Sequence, residues 1–214
     1  TSLTSLSTTS GAYYCLSYFI EGFNTADLAY GTSNAKTVTL SFWVRSSLTG
    51  QFGGSLRNNT STYWSYPFSY TITSANTWQY VTVTVPGTSS GTWTTDNGTG
   101  LCVFFDLGSG SSNLATAGSW QSVNVLGATG DTSVVGTSGA TFYLTGVQLE
   151  VGTVATPYEY RHYGTEFALC QRYYQKYNEQ FFPMMVRTGG YKGLAFHRPV
   201  RSEEHTSELQ SRET

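Results

Sequence analysis

Charge is what this chain most lacks. Asp, Glu, Lys and Arg make up 11% of its 214 residues, under half of the roughly 25% usual in globular proteins. The formal net charge is −2, so no basic footprint for nucleic acid is present. Its three cysteines, at 15, 102 and 170, have no metal-ligand spacing and leave one thiol over in any disulfide scheme. They read as small buried hydrophobes. No apolar run approaches the roughly 18 residues a membrane-spanning helix needs. Helical periodicity is missing up to position 156.

The usual constellations of catalysis are missing too. His162 and His197 stand in no motif, and "GSGSS" at 108–112 is a glycine-rich run without a P-loop lysine. Asp96, Asp106 and Asp131 are isolated in Gly/Ser-rich sequence, where aspartate serves turns. Glycoside hydrolysis needs two carboxylates at a fixed separation, and no such pair stands out. No enzymatic activity, cofactor or metal is expected.

Aromatics are plentiful, at 15% with 16 Tyr and 5 Trp. Low charge with many aromatics argues against disorder, which needs the reverse. It suits a β-sheet surface that meets uncharged, hydroxylated partners.

The end of the chain is of another kind. "RSEEHTSELQS", Arg201 to Ser211, resembles the translation of a widely used sequencing adapter. Residues 201–214 are therefore set aside as an artefact and expected to be disordered. The chain opens at Thr1 without Met, as expected of a fragment. Without the tail, nine basic groups balance nine acidic ones. The balance hides an asymmetry, with a net of −3 over 1–156 and +3 over 157–200.

Period-two alternation bounded by Gly, Asn, Ser or Pro marks strands. It predicts them at 12–20, 26–31, 36–47, 66–72, 77–86, 100–108 and 141–152. In 36–47, Val38, Leu40, Phe42 and Val44 face inward, and Thr39, Ser41, Trp43 and Arg45 outward. In 77–86, Val81, Val83 and Val85 face inward, and Trp78, Tyr80, Thr82 and Thr84 outward. Leu101, Val103, Phe105 and Leu107 share one face of 100–108. The stretches 87–99 and 108–140 read as loops or weak strands. The expected fold is all-β: a jelly-roll β-sandwich of two antiparallel sheets over 1–156. One short helix follows at 165–179, with Thr165 as N-cap, inside an extension covering 157–200.

Two resemblances sharpen this. "TVTLSFWVRSS", "ANTWQYVTVTVPG" and "FYLTGVQLEVG" resemble the xylan- and cellulose-binding type of carbohydrate-binding module, over about 36–152. "FYLTGVQLEVGTVATPYEYRHYGTEFALCQRYYQK" (from 142) resembles the end of a recurring domain of bacteriophage tail-fibre and related virion structural proteins. The matching positions are Gly146 to Glu150, Ala155-Thr156-Pro157, Gly164-Thr165-Glu166 and Ala168 to Tyr174. Many such modules carry an Asp in the closing strand that helps hold a structural calcium ion. Here that region reads Leu144-Thr145-Gly146, with Glu150 the only carboxylate nearby, which puts the ion in doubt.

Aromatics directed away from the core are the candidates for binding, since a ring can stack on the CH face of a sugar while polar neighbours take its hydroxyls. The loop "NNTSTYWSYP" at 58–67 offers Tyr63, Trp64 and Tyr66, expected to form a recognition loop. Trp43, Arg45, Trp78 and Tyr80 project from the outer face of their strands; they either meet a ligand or fill sheet edges. Trp93 and Trp120 stand alone in loops. The helix around Gln171 to Tyr174 either packs Phe167, Leu169, Cys170 and Tyr174 on the sandwich or links into a stalk.

The resemblance implies a non-catalytic phage virion protein of the tail fibre that binds host cell-surface carbohydrate. Its partners would be a cell-surface polysaccharide or glycan and other virion proteins, with no nucleic acid and no membrane. Fibre proteins are usually trimers, so a homotrimer is compatible, although one short helix cannot specify it. The protein would be made in the host cytoplasm and reside on the virion. A purely structural capsid or fibre module, and a carbohydrate-binding module of a secreted polysaccharide hydrolase, fit the same residues.

Overall fold

The computed structural model describes residues 4–174. The chain divides into two compact units after Tyr160. The first is a β-sandwich of nine strands: β1 Cys15–Glu21, β2 Val38–Ser46, β3 Gly50–Arg57, β4 Ser65–Ile72, β5 Gln79–Val85, β6 Thr99–Asp106, β7 Leu114–Ala115, β8 Gly127–Ala128 and β9 Phe142–Val151. One antiparallel sheet runs β1-β6-β3-β4 and the other β5-β2-β9, while β7 and β8 form a short parallel pair. The chain thus passes repeatedly from one sheet to the other.

The core lies between the two sheets. Val38, Leu40, Phe42 and Val44 of β2 are all almost inaccessible to water, as their alternation requires. The Phe42 ring meets Tyr70 at 5.1 Å and Phe105 at 5.0 Å, both edge to face. Phe52, Leu56, Phe68, Ile72, Val85 and Leu101 complete the centre. Each fully buried side chain of this size is worth about 1.5–3 kcal/mol of transfer free energy.

The two outer faces differ. Over the four-stranded sheet the chain from Leu107 to Ala140 folds back as a cover. Ser55 Oγ donates to the Val125 carbonyl at 2.9 Å and Ser65 Oγ to that of Val123 at 2.7 Å. Arg57 donates to Asn124 Oδ1, and Leu126 packs on Cys102 and Phe104. Both faces of β6 are buried as a result. The outer face of β5-β2-β9 carries no comparable cover at its aromatic end.

The structure departs from the sequence reading at several points. Residues 26–31 are not extended: Ala26–Leu28 forms a 3-10 turn, and Ala29 adopts φ 52°. Leu28 and Tyr30 do enter the core, so the alternation there reported burial without a strand. β3, "GQFGGSLR", is a central strand where the alternation pattern had marked none. Its glycines answer to close approach: a Cβ on Gly54 would stand 1.9 Å from the Phe104 carbonyl oxygen, and one on Gly53 2.5 Å from Asp131 Oδ2.

The second unit contains α1, Tyr163–Gln171. It starts before the expected cap Thr165, after His162, whose side chain makes no capping bond. Arg161 and Glu166 form an ion pair at 3.8 Å. Within this unit Phe167, Leu169, Cys170 and Tyr174 are exposed. The expected end of the helix at 175–179 lies outside the described residues, as does the adapter-like tail.

Candidate functional site

The outer face of β5-β2-β9 is organised in cross-strand rows. Arg45 lies opposite Tyr143 and Trp43 opposite both Tyr80 and Thr145. Ser41 faces Thr82 and Gln148, and Thr39 faces Thr84 and Glu150. Between Ser41 and Trp43 the register slips, and Gly146 of β9 takes φ 58°. This is a β-bulge with its glycine in the left-handed conformation.

The far half of this face is polar and clasped. After Gly152 the chain turns back across the sheet, and the outward side chains of β9 hold it. Glu150 Oε1 accepts from the Thr156 backbone at 2.8 Å, and Oε2 accepts from the Thr156 hydroxyl at 2.7 Å. Gln148 Nε2 donates to Glu150 Oε1 at 3.1 Å, while Gln148 Oε1 accepts the backbone N–H of Glu159 at 2.9 Å. Thr39 donates its hydroxyl to the Gly152 carbonyl at 2.8 Å. Thr39 and Ser41 are consequently buried despite facing outward. Hydrogen bonding from Thr156 holds the Glu150 carboxyl below its ordinary pKa.

The near half is aromatic and open. Trp43, Trp78, Tyr80, Tyr143 and Tyr158 are each between 41% and 46% exposed, enough to present a ring face while the other face packs. Trp43 and Tyr80 lie 5.2 Å apart at 45°, and Trp78 meets Tyr143 at 6.4 Å. A Cβ on Gly146 would sit 3.4 Å from Trp43 Cδ1 and 3.9 Å from Tyr158 Cδ2, so both rings border this glycine. The Arg45 guanidinium carbon lies 4.3 Å from the Tyr143 ring centre and 5.5 Å from that of Trp78.

No family model, no curated protein and no solved structure matches this chain. Geometry therefore carries the functional reading.

The structure brings Trp43, Arg45, Trp78 and Tyr80 together on one face, and separates the other three candidates. Tyr66, expected in a recognition loop, lies inside β4 with its ring in the core, 7% exposed and 5.5 Å from Trp120. Tyr63 stacks on the Arg57 guanidinium at 4.7 Å. Trp64 is partly buried over Gly91, where a Cβ would fall 2.6 Å from its Cδ1. The loop winds around a fully buried Asn58, which donates to the carbonyls of Thr62 at 3.0 Å and Thr92 at 2.9 Å. Asn58 Oδ1 accepts from the Trp64 N–H at 2.8 Å. These bonds serve the loop's own shape and leave no shared platform. Trp93 and Trp120 pack edge to face with Tyr30, at 4.9 and 5.7 Å.

Tyr143 and Tyr158 were not anticipated. Alternation in β9 opposite Arg45 would have found Tyr143. Tyr158 carries no local signal, because its place depends on the clasp at Gln148 and Glu150.

The carboxylates serve turns. Asp96 accepts from the Gly98 N–H at 2.7 Å, and Asp106 from Ser109 N–H at 2.9 Å. Asp131 accepts from Ala128 at 2.8 Å and Gln51 at 3.2 Å. Burial pushes its pKa up to about 6, against the pull of those two donors. Among the described residues no three His, Cys, Asp or Glu gather as a metal group. Around Leu144–Gly146 the residues do not fit a calcium ion: Thr145 is exposed, and both Glu150 oxygens are taken by Thr156.

Proposed function

We propose that this chain is a non-catalytic bacteriophage virion protein, of the tail fibre, whose β-sandwich binds host cell-surface carbohydrate through the aromatic face of β5-β2-β9. The observation that carries this reading is the cluster of Trp43, Tyr80, Trp78, Tyr143 and Tyr158, all part-exposed on one side of one sheet. A contiguous apolar surface of this sort is uncommon on a protein without a use for it. Rings seated on a rigid sheet lose little entropy on meeting a ligand. Hydroxyls on Thr82, Thr145 and the tyrosines stand beside the rings for the polar edge of a sugar. The phage assignment rests on the resemblance of 142–176, whose Gln148, Glu150 and Thr156 are the residues of the clasp.

An array of bacterial surface polysaccharides and plant glycans tests the reading. Binding to bacterial glycans, reduced at least tenfold by Trp43→Ala with an unchanged thermal transition, is the expected result. Selective binding to xylan or glucan would favour a module of a polysaccharide hydrolase. No binding to any glycan by the folded chain would overturn the reading in favour of a structural module.

A further inference from the structure

The first unit has three cations among its described residues, and two have evident polar partners. Lys36 pairs with Asp27 at 3.7 Å, and Arg57 is bonded to Asn124. Arg45 differs. Its guanidinium lies against the rings of Tyr143 and Trp78, and its Nε is buried without a hydrogen-bond partner. Its cross-strand partner on β9 is Tyr143, and the next row is Trp43 with Tyr80 and Thr145. No carboxylate of the described residues pairs with it. Glu150 stands opposite Thr39, three rows away, or roughly 20 Å along the strand, and is held by Thr156.

A guanidinium lying on aromatic rings keeps its charge and its planar donors while losing conformational freedom. It is pre-organised for a planar anion, which it can meet with two parallel hydrogen bonds. One row along, roughly 7 Å away, lies the Trp43–Tyr80 pair.

Resting on the carbohydrate-binding reading, we propose that the ligand is an acidic saccharide of the uronic-acid type. Its pyranose ring lies on Trp43 and Tyr80, and its carboxylate meets the Arg45 guanidinium. A uronate carries its carboxylate directly on a ring carbon, so the charge stays beside the stacked ring and one row suffices to reach it. A phosphodiester between sugars would hold the anion away from the rings. Arg45 is then the residue that sets specificity, and the rings supply the charge-independent part of the affinity.

The test uses the full chain with alginate, polygalacturonate and a glucuronate-containing bacterial capsule, each beside its carboxyl-reduced, neutral counterpart. At least one acidic polymer is expected to bind tenfold or more tightly than its reduced form, with the preference shrinking as salt is raised. Arg45→Gln should bind both forms alike, at the level of the wild type on the reduced polymer. Arg45→Lys, which keeps the charge without the fork, should retain part of the preference. Trp43→Ala should lose both forms. Equal binding of a polymer and its reduced form by the wild type overturns the acidic-ligand proposal while leaving carbohydrate binding intact, and needs no variant. A preference for a phosphate-bearing polymer over all three uronates overturns it as well. Failure to bind any glycan, acidic or neutral, removes the carbohydrate reading together with this one.

Discussion

Gln148, in the last strand of the sandwich, accepts the backbone N–H of Glu159, eleven residues further on, at 2.9 Å. Together with the Glu150–Thr156 bonds, this contact folds the segment after β9 back onto the sheet that precedes it. The motif GVQLEVG and the A-T-P turn are therefore one structural unit, made of a strand and the return chain it grips.

Breaking that grip should free the return segment without unfolding the sandwich. Gln148→Ala with Glu150→Ala is expected to raise protease cleavage within 153–160 at least tenfold, as the hydrogen bonds of these side chains with Thr156 and Glu159, of about 1 kcal/mol each, are lost. The thermal transition should fall only a little. Cleavage that matches the wild type would show that the segment is held by other contacts.

The same grip should weaken in acid. The Glu150 pKa is lowered in the folded chain, so its contribution is present above the ordinary carboxylate range and is lost as pH falls through the lowered value. Protease cleavage within 153–160 should rise on acidification in the wild type. Glu150→Gln should show raised cleavage already at neutral pH, with a flatter profile.

Asp131 titrates with the opposite sign. Its pKa is raised to about 6 by burial, so the folded state holds the proton more tightly than the unfolded state. Its influence is most favourable below the unfolded value, and stability is lost as pH rises through about 6. Asp131→Asn keeps an acceptor for the Ala128 N–H and removes the buried charge. It should raise the melting temperature at pH 7 by several degrees, corresponding to roughly 1–3 kcal/mol, and flatten the profile between pH 4 and 7. Unfolding followed by circular dichroism at several pH values decides this.

Residues on β2, β4 and β5 should separate binding from stability. Phe42→Ala and Tyr66→Ala remove core rings and should cost about 3–5 kcal/mol. Trp43→Ala and Tyr80→Ala should leave the melting temperature within a few degrees and act on glycan affinity alone. If Tyr66→Ala melted like the wild type, its place in the core would be wrong.

Gly54→Ala should be among the most damaging single-methyl changes, because the added carbon meets a backbone carbonyl that cannot swing away. A loss of about 1–3 kcal/mol or more follows from overpacking, measurable by urea unfolding.

β2 and β5 were legible in the sequence because each has one face in the core and one directed outward, so apolar and polar side chains alternate even where Thr39 and Ser41 of the outer face are covered. Trp43, Arg45, Trp78 and Tyr80 could be placed on the outer face for the same reason. β3 was not legible, since Gly53 and Gly54 are there to admit Asp131 and the Phe104 backbone from above and beside, neighbours far away in sequence. Tyr66 misled because the polar residues around it belong to a loop that satisfies itself through Asn58, one step before the strand begins. Tyr158 reaches the face only through Gln148 and Glu150, and such a tether leaves no periodic trace.

The bulge at Gly146 has a further effect, on parity. Phe142 and Leu144 point into the core from even positions, and Leu149 does so from an odd one, opposite Leu40. β9 is thus two short strands written out of phase and spliced by one extra residue. Deleting Val147 would bring them back into phase with every facing kept: Gln148 and Glu150 would still lie opposite Ser41 and Thr39 and Leu149 opposite Leu40, and only the bulge beside Trp43 would be lost. The return segment would keep both its anchors, so the extra residue serves the aromatic end of the face, where Gly146 borders Trp43 and Tyr158, and not the clasp.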